Sequence, residues 1–204
     1  TLGSVVGANS ASASVSGVLT PTTFSATAVA GAPTQLAFTT QPAANGTAGV
    51  NLAQFPVITL RDASGNTSLT ATNSVSLQGF SDTSCASPVS GDLTATANPL
   101  AATAGIASFA AVKILKTNVI RIQATSSGLT SACSSALAIS PGAPASITVS
   151  AGDAQTGTVN TALANPFVAF VQDANTNVVP NATVTWTVVS GNGSLSSASN
   201  STLS

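Results

Sequence analysis

Few side chains in this sequence could do chemistry, and their types narrow what that chemistry is. Five carboxylates are present, all aspartate (Asp62, Asp82, Asp92, Asp153 and Asp173), with four cations (Arg61, Lys113, Lys116 and Arg121), two cysteines and no histidine. Without histidine or glutamate there is no common general base and no Ser/His or Cys/His nucleophile pair, so no catalytic residue, no cofactor and no enzyme activity is expected. Asp62 with Asn66, and Asp173 with Asn177, occur at one spacing in two similar turns. Such oxygens are weak candidates for calcium, which takes six to eight oxygen ligands, more than one carboxylate per turn guarantees. The plainer reading is a turn aspartate accepting backbone N–H bonds. Cys85 and Cys133 lie 48 residues apart. A disulfide closing a loop of that length stabilises by about 4 kcal/mol in the chain-entropy model. Two inert buried thiols are the alternative, and a metal site would lack further ligands. Lys113 and Lys116 read as solvated charges, since a lysine–asparagine cross-link would want a neighbouring glutamate. Trp186 sits among alternating valines and reads as a core residue rather than a sugar platform.

The two Asp–Asn turns belong to a longer repeat. Gly31-Ala32-Pro33 recurs as Gly142-Ala143-Pro144, Asn45-Gly46-Thr47 as Thr156-Gly157-Thr158, and Val57 as Val168, each pair 111 residues apart. Asp62-Ala63 and Asn66 recur as Asp173-Ala174 and Asn177 at the same offset, and Ser16-Gly17 precedes Ser127-Gly128 by it too. Self-similarity at a fixed period marks a repeat architecture. The expected division is residues 1–30 as the C-terminal strands of a first repeat, 31–141 as a complete repeat, and 142–204 as the N-terminal strands of a third.

Within the repeat the pattern is that of strands. Gln35 to Thr39, Val57 to Arg61, Val75 to Gln78, Val119 to Gln123 and Thr183 to Val188 alternate with period 2, and Gly, Pro, Asn, Asp and Ser clusters separate them. Ala11 to Ser16 and Thr22 to Val29 are expected to pair across a turn at Gly17 to Pro21. No window keeps a helical apolar stripe free of Gly or Pro, and even the alanine-dense stretch Leu93 to Ala111 reads as strand. Short strands at this spacing in a unit of about 100 residues describe an all-β sandwich. The four-residue, proline-stiffened link Ala30 to Pro33 is too short for a free tether, so neighbouring units are expected to stack into an elongated rod.

Charged residues make up 4% of the chain and the formal net charge is −1, against about a quarter charged in ordinary domains. So little basic charge argues against nucleic acid or an anionic membrane as partner. No run reaches the roughly 18–20 apolar residues of a membrane helix. Neutral surfaces, carbohydrate, host protein or other copies of the chain remain.

The Gly-Ala-Pro junction, the Asp62 to Asn66 turn, and the strand Ala182 to Val188 with its sequel Gly191-Asn192-Gly193-Ser194-Leu195 resemble bacterial Ig-like domains of the invasin and intimin type. The middle copy departs from the pattern in having Val75 where the third has Trp186, and in its cysteine pair. The resemblance implies a half, whole, half series of Ig-like sandwiches at a bacterial surface, extracellular, in an adhesin stalk or fibre. Residues 1–30 and 142–204 together supply 93 of the 111 positions of a repeat. One expectation is therefore head-to-tail assembly, with the tail of one molecule completing the head of the next. The other is a segment of a longer single-chain array, including a glycan- or protein-binding module whose tips would be Asn45 to Val50 and Ala151 to Thr158.

Overall fold

The computed structural model describes residues 1–202, and those residues are all β, with no helix. β1 (Gly7–Ala13) and β2 (Thr22–Ala28) form an antiparallel hairpin with register Gly7↔Ala28 to Ala13↔Thr22. Its turn closes through the Val18 N–H on the Val15 carbonyl, 3.1 Å, with Gly17 at φ +88°, a backbone that favours glycine. The first strand lies earlier than the expected Ala11 to Ser16, since its pairing with β2 runs from Gly7↔Ala28 and ends at Ala13↔Thr22.

Residues 31–141 hold eleven strands: β3 (Gln35–Thr40), β4 (Asn45–Thr47), β5 (Val57–Arg61), β6 (Ser74–Phe80), β7 (Leu93–Thr94), β8 (Leu100–Ala101), β9 (Ile106–Ser108), β10 (Lys113–Ile114), β11 (Arg121–Thr125), β12 (Ala132–Cys133) and β13 (Ala138–Ser140). One sheet runs β3-β5-β9, another β12-β11-β6-β8, both antiparallel, and β13 pairs parallel with β4. Period-2 alternation turns Ile58 and Leu60 from the first sheet towards Val75, Leu77, Ile122 and Ala124 from the second, in one core. Most of these side chains are fully buried. Two sheets filling a common core is the layout of a β-sandwich. The alanine-dense stretch forms only the short β7, β8 and β9, its turn made by Gly105 at φ +73°, where a Cβ would run into the Ser68 carbonyl.

Residues 142–202 hold β14 (Pro144–Ala151), β15 (Val168–Asp173), β16 (Thr183–Thr185) and β17 (Ser199–Ser201). β14 pairs antiparallel with β15 and β16 with β17. The core here is small: Val171, Val179 and Val184, with Ala169, Ala182 and Trp186 partly buried against them. The expected strand to Val188 ends at Thr185. Trp186 follows it, half-buried and stacked on Phe167 at 6.3 Å between centroids, so its ring lies at the margin of a core and not inside one.

Candidate functional site

The two Asp–Asn turns stand at the two junctions between units, and each is a closed hydrogen-bond system. At the first, Asp62 Oδ1 accepts the Ser64 and Asn66 N–H groups at 2.9 Å each, while Oδ2 accepts the Gly31 N–H at 2.9 Å. Two acidic oxygens are thereby spent on the turn and on the linker that enters the unit. Gly65 supplies the positive φ of the turn, +86°. The Asn66 amide packs its Nδ2 on the Asp62 carboxylate at 3.1 Å. Thus fixed, that amide faces the preceding unit: Nδ2 donates to the Ser4 carbonyl at 2.8 Å and Oδ1 accepts the Val6 N–H at 3.4 Å.

The second junction repeats this set. Asp173 Oδ1 accepts the Asn175 and Asn177 N–H groups at 2.8 and 2.9 Å, and Oδ2 accepts the Gly142 N–H and Asn177 Nδ2 at 2.8 Å each. Asn177 Nδ2 donates to the Leu115 carbonyl at 2.8 Å, and Asn177 Oδ1 accepts the Thr117 N–H at 3.1 Å. Every residue in this set lies 111 positions after its counterpart, including Leu115 after Ser4 and Thr117 after Val6. A primary amide that offers one donor and one acceptor to a carbonyl and an N–H two residues apart imitates a strand neighbour. Each asparagine is in this sense a one-residue strand laid on the preceding unit.

The junctions also differ. At the first, Ser68, almost fully buried, donates its hydroxyl to the Gly31 carbonyl at 2.6 Å; its counterpart Val179 has no hydroxyl. At the second, Lys116 reaches across to the Asn175 carbonyl and to Thr176 Oγ1 at 2.7 Å. Thr176 holds the position of Gly65 and adopts φ +63°, costly for a β-branched residue, with its hydroxyl held by that ammonium. Lys116 is thus a junction residue and not the solvated charge its neighbours suggest, whereas Lys113 lies in β10 paired with Thr94.

Hydrogen bonding controls the electrostatics. The Gly31 N–H, followed by the Asn66 side chain, holds the Asp62 carboxyl below the usual carboxylate range. Burial pushes Asp173 up, but the Asn177 side chain and the Gly142, Asn177 and Asn175 N–H groups outweigh it, and the net shift is down. Both turns direct amide nitrogen, a donor, at the carboxylate, and the carboxylate oxygens already carry two or more N–H groups each. That arrangement answers the charge with N–H groups in the place a cation would occupy.

Cys85 and Cys133 are joined as a disulfide with Cα atoms 6.4 Å apart. It ties the loop after β6 to β12. The same loop is ordered by Asp82, which accepts the Ser84 hydroxyl and the Ser84, Ala86 and Ser87 N–H groups and is driven well below the carboxylate range, chiefly by that hydroxyl. Asp92 is the opposite case. Only 6% exposed, it lies against Gly79 and Val119, its Oδ2 has no hydrogen-bond partner, and burial raises its pKa. Of the two proposed tips, Asn45 to Thr47 is strand β4, while an apolar groove of about 240 Å³ beside Ala151 is lined by Ile147, Val149, Phe167 and Trp186.

The reach of Asn66 and Asn177 onto the preceding unit was not legible beforehand. The only available signal was that these asparagines keep the 111-residue offset. Comparison with protein-family models, with curated proteins and with solved structures finds no match to this chain.

Proposed function

We propose that this chain is a structural segment of an extracellular, bacterial-type adhesin stalk or fibre, built of tandem Ig-like sandwiches held in a fixed relation by their junctions. One observation carries this reading: an identical hydrogen-bond set, from the linker glycine through the aspartate to an asparagine clamped on the preceding unit, occurs twice at the repeat offset. A tether between independent domains has no use for such a set. A device repeated at each joint sets the same angle at each joint, and many equal joints make a straight or gently helical rod. The disulfide suits an oxidising, extracellular setting. No helix is long and apolar enough to cross a membrane among the described residues.

Small-angle scattering and electron microscopy of the chain test the reading. An elongated particle with a narrow spread of inter-unit angles is expected, and the spread should widen in an Asn66→Ala/Asn177→Ala double variant. Freely jointed units in the unaltered chain would refute it.

A further inference from the structure

Asn-Gly occurs twice in the sequence, at Asn45-Gly46 and at Asn192-Gly193. This dipeptide can react with itself. The main-chain nitrogen that follows an asparagine can attack that residue's own side-chain carbonyl carbon, and glycine, having no Cβ, crowds the approach least. The ring closes only where φ and ψ are free to bring nitrogen and carbon together, so a main chain fixed by strand pairing is protected. Backbone pairing therefore decides which of two identical dipeptides reacts.

The fold separates the two. Asn45-Gly46 lies in β4, with Asn45 opposite Ala138 and Gly46 opposite Ile139 in the parallel pairing with β13. The Ala138 N–H on the Ala44 carbonyl and the Ala48 N–H on the Ser140 carbonyl, both at 2.8 Å, hold the segment at its ends. Gly46 is packed as well: a Cβ there would meet Leu52 at 3.0 Å and Ile139 at 3.2 Å. Asn192-Gly193 stands instead in the loop between β16 and β17, with both residues exposed and nothing within 4 Å of where a Gly193 Cβ would sit. That exposure belongs to the loop itself, since Ser81, 111 residues earlier in the complete unit, is exposed too. The joint asparagines are shielded in another way. Asn66 and Asn177 have both ends of their amides bound, and the residues after them, Thr67 and Val178, are β-branched and crowd the attacking nitrogen.

We infer that Asn192 is a site of spontaneous covalent modification in the folded chain, while β4 protects Asn45 and the joints protect Asn66 and Asn177. The Gly193 nitrogen bonds to Asn192 Cγ and gives up its proton, the bond from Cγ to Nδ2 breaks, and Nδ2 leaves as ammonia with that proton and the bonding pair. Water then opens the cyclic imide at one or other carbonyl, and the product is aspartate or isoaspartate. Each event adds one negative charge to a chain whose formal net charge is −1, and isoaspartate reroutes the main chain through the side-chain carbons. The loop thus marks the age of the chain while the joints keep their amides. The chemistry is independent of the stalk reading.

Incubation of the full chain at mildly alkaline pH, followed by peptide mass spectrometry that separates aspartate from isoaspartate, tests this. Conversion of Asn192 to both products is expected, with Asn45, Asn66 and Asn177 keeping their amides. In urea, which unpairs β4, Asn45 should convert as fast as Asn192. Gly193→Ala, whose methyl meets no neighbour, should suppress conversion at Asn192 and leave the circular dichroism spectrum unchanged. Equal conversion of Asn45 and Asn192 in the folded chain overturns the protection by β4. An intact Asn192 overturns the site, and conversion to aspartate alone, or conversion undiminished in Gly193→Ala, overturns the route through the ring.

Discussion

Replacing Asn177 with alanine isolates what one junction amide does. Two hydrogen bonds cross the joint, to the Leu115 carbonyl at 2.8 Å and from the Thr117 N–H at 3.1 Å. At about 1 kcal/mol net each, their loss weakens the joint by roughly 2 kcal/mol. The bond to the Asp173 carboxylate disappears too, but it lies within the turn and does not load the joint. Roughly 2 kcal/mol corresponds to about thirtyfold in a local opening equilibrium, so amide exchange at Thr117 should accelerate by about that factor. Hydrogen exchange followed by NMR reads this residue by residue. The Val6 amide, at the other joint and on Asn66, supplies the internal control and should not change. Lys116 still bonds to the Asn175 carbonyl and Thr176, so the units stay in contact and the effect is confined to the amide's own partners. Acceleration at Thr117 of less than about threefold, under roughly 0.7 kcal/mol, would refute the clamp as an energetic feature of the joint.

Asp92→Asn should raise stability at pH 7, read by chemical denaturation, because it removes a buried charge while keeping the side chain's size and shape. Its folded pKa is raised, so the stability of the parent relative to the variant is greatest below the ordinary carboxylate value of about 3.9 and falls as pH rises through the folded value; a flat difference contradicts this. Asp62 and Asp173 have the opposite sign. Their folded pKa values are lowered, so the stability they contribute is present above about pH 3.9 and is lost as pH falls through the lowered values. Weakening of the Asn66 and Asn177 joints in acid, seen as a widening spread of inter-unit angles by scattering, is the expected result. Reducing the Cys85–Cys133 bond should cost about 4 kcal/mol of middle-unit stability, given the 48-residue separation, and a melting temperature unmoved by reductant would count against it.

The strands were legible because their cause is local: apolar residues at alternate positions of a short run mark core-facing side chains, as Ile58 and Leu60 in Val57–Arg61 and Val75 and Leu77 in Ser74–Phe80. Boundaries were less legible, as with the strand expected to run to Val188, which ends at Thr185 where its pairing with β17 reaches Ser199. The cysteine pair could be proposed from composition, but the 6.4 Å Cα separation comes from β11 carrying β12 to the loop after β6. The burial of Asp92 could not be read at all, since its environment is Gly79 and Val119, which are distant in sequence.

By itself the sequence established the 111-residue period, the all-β character and the recurrence of an Asp–Asn turn, because each is a pattern of residue identity along the chain. It could not show what the turn holds. Asn66 and Asn177 grip main-chain atoms, so the residues gripped are free to differ: Ser4 and Val6 in one place, Leu115 and Thr117 in the other. A contact made to backbone leaves no trace in side-chain identity, and only the folding of one unit's turn against the preceding unit's last third brings the two into register.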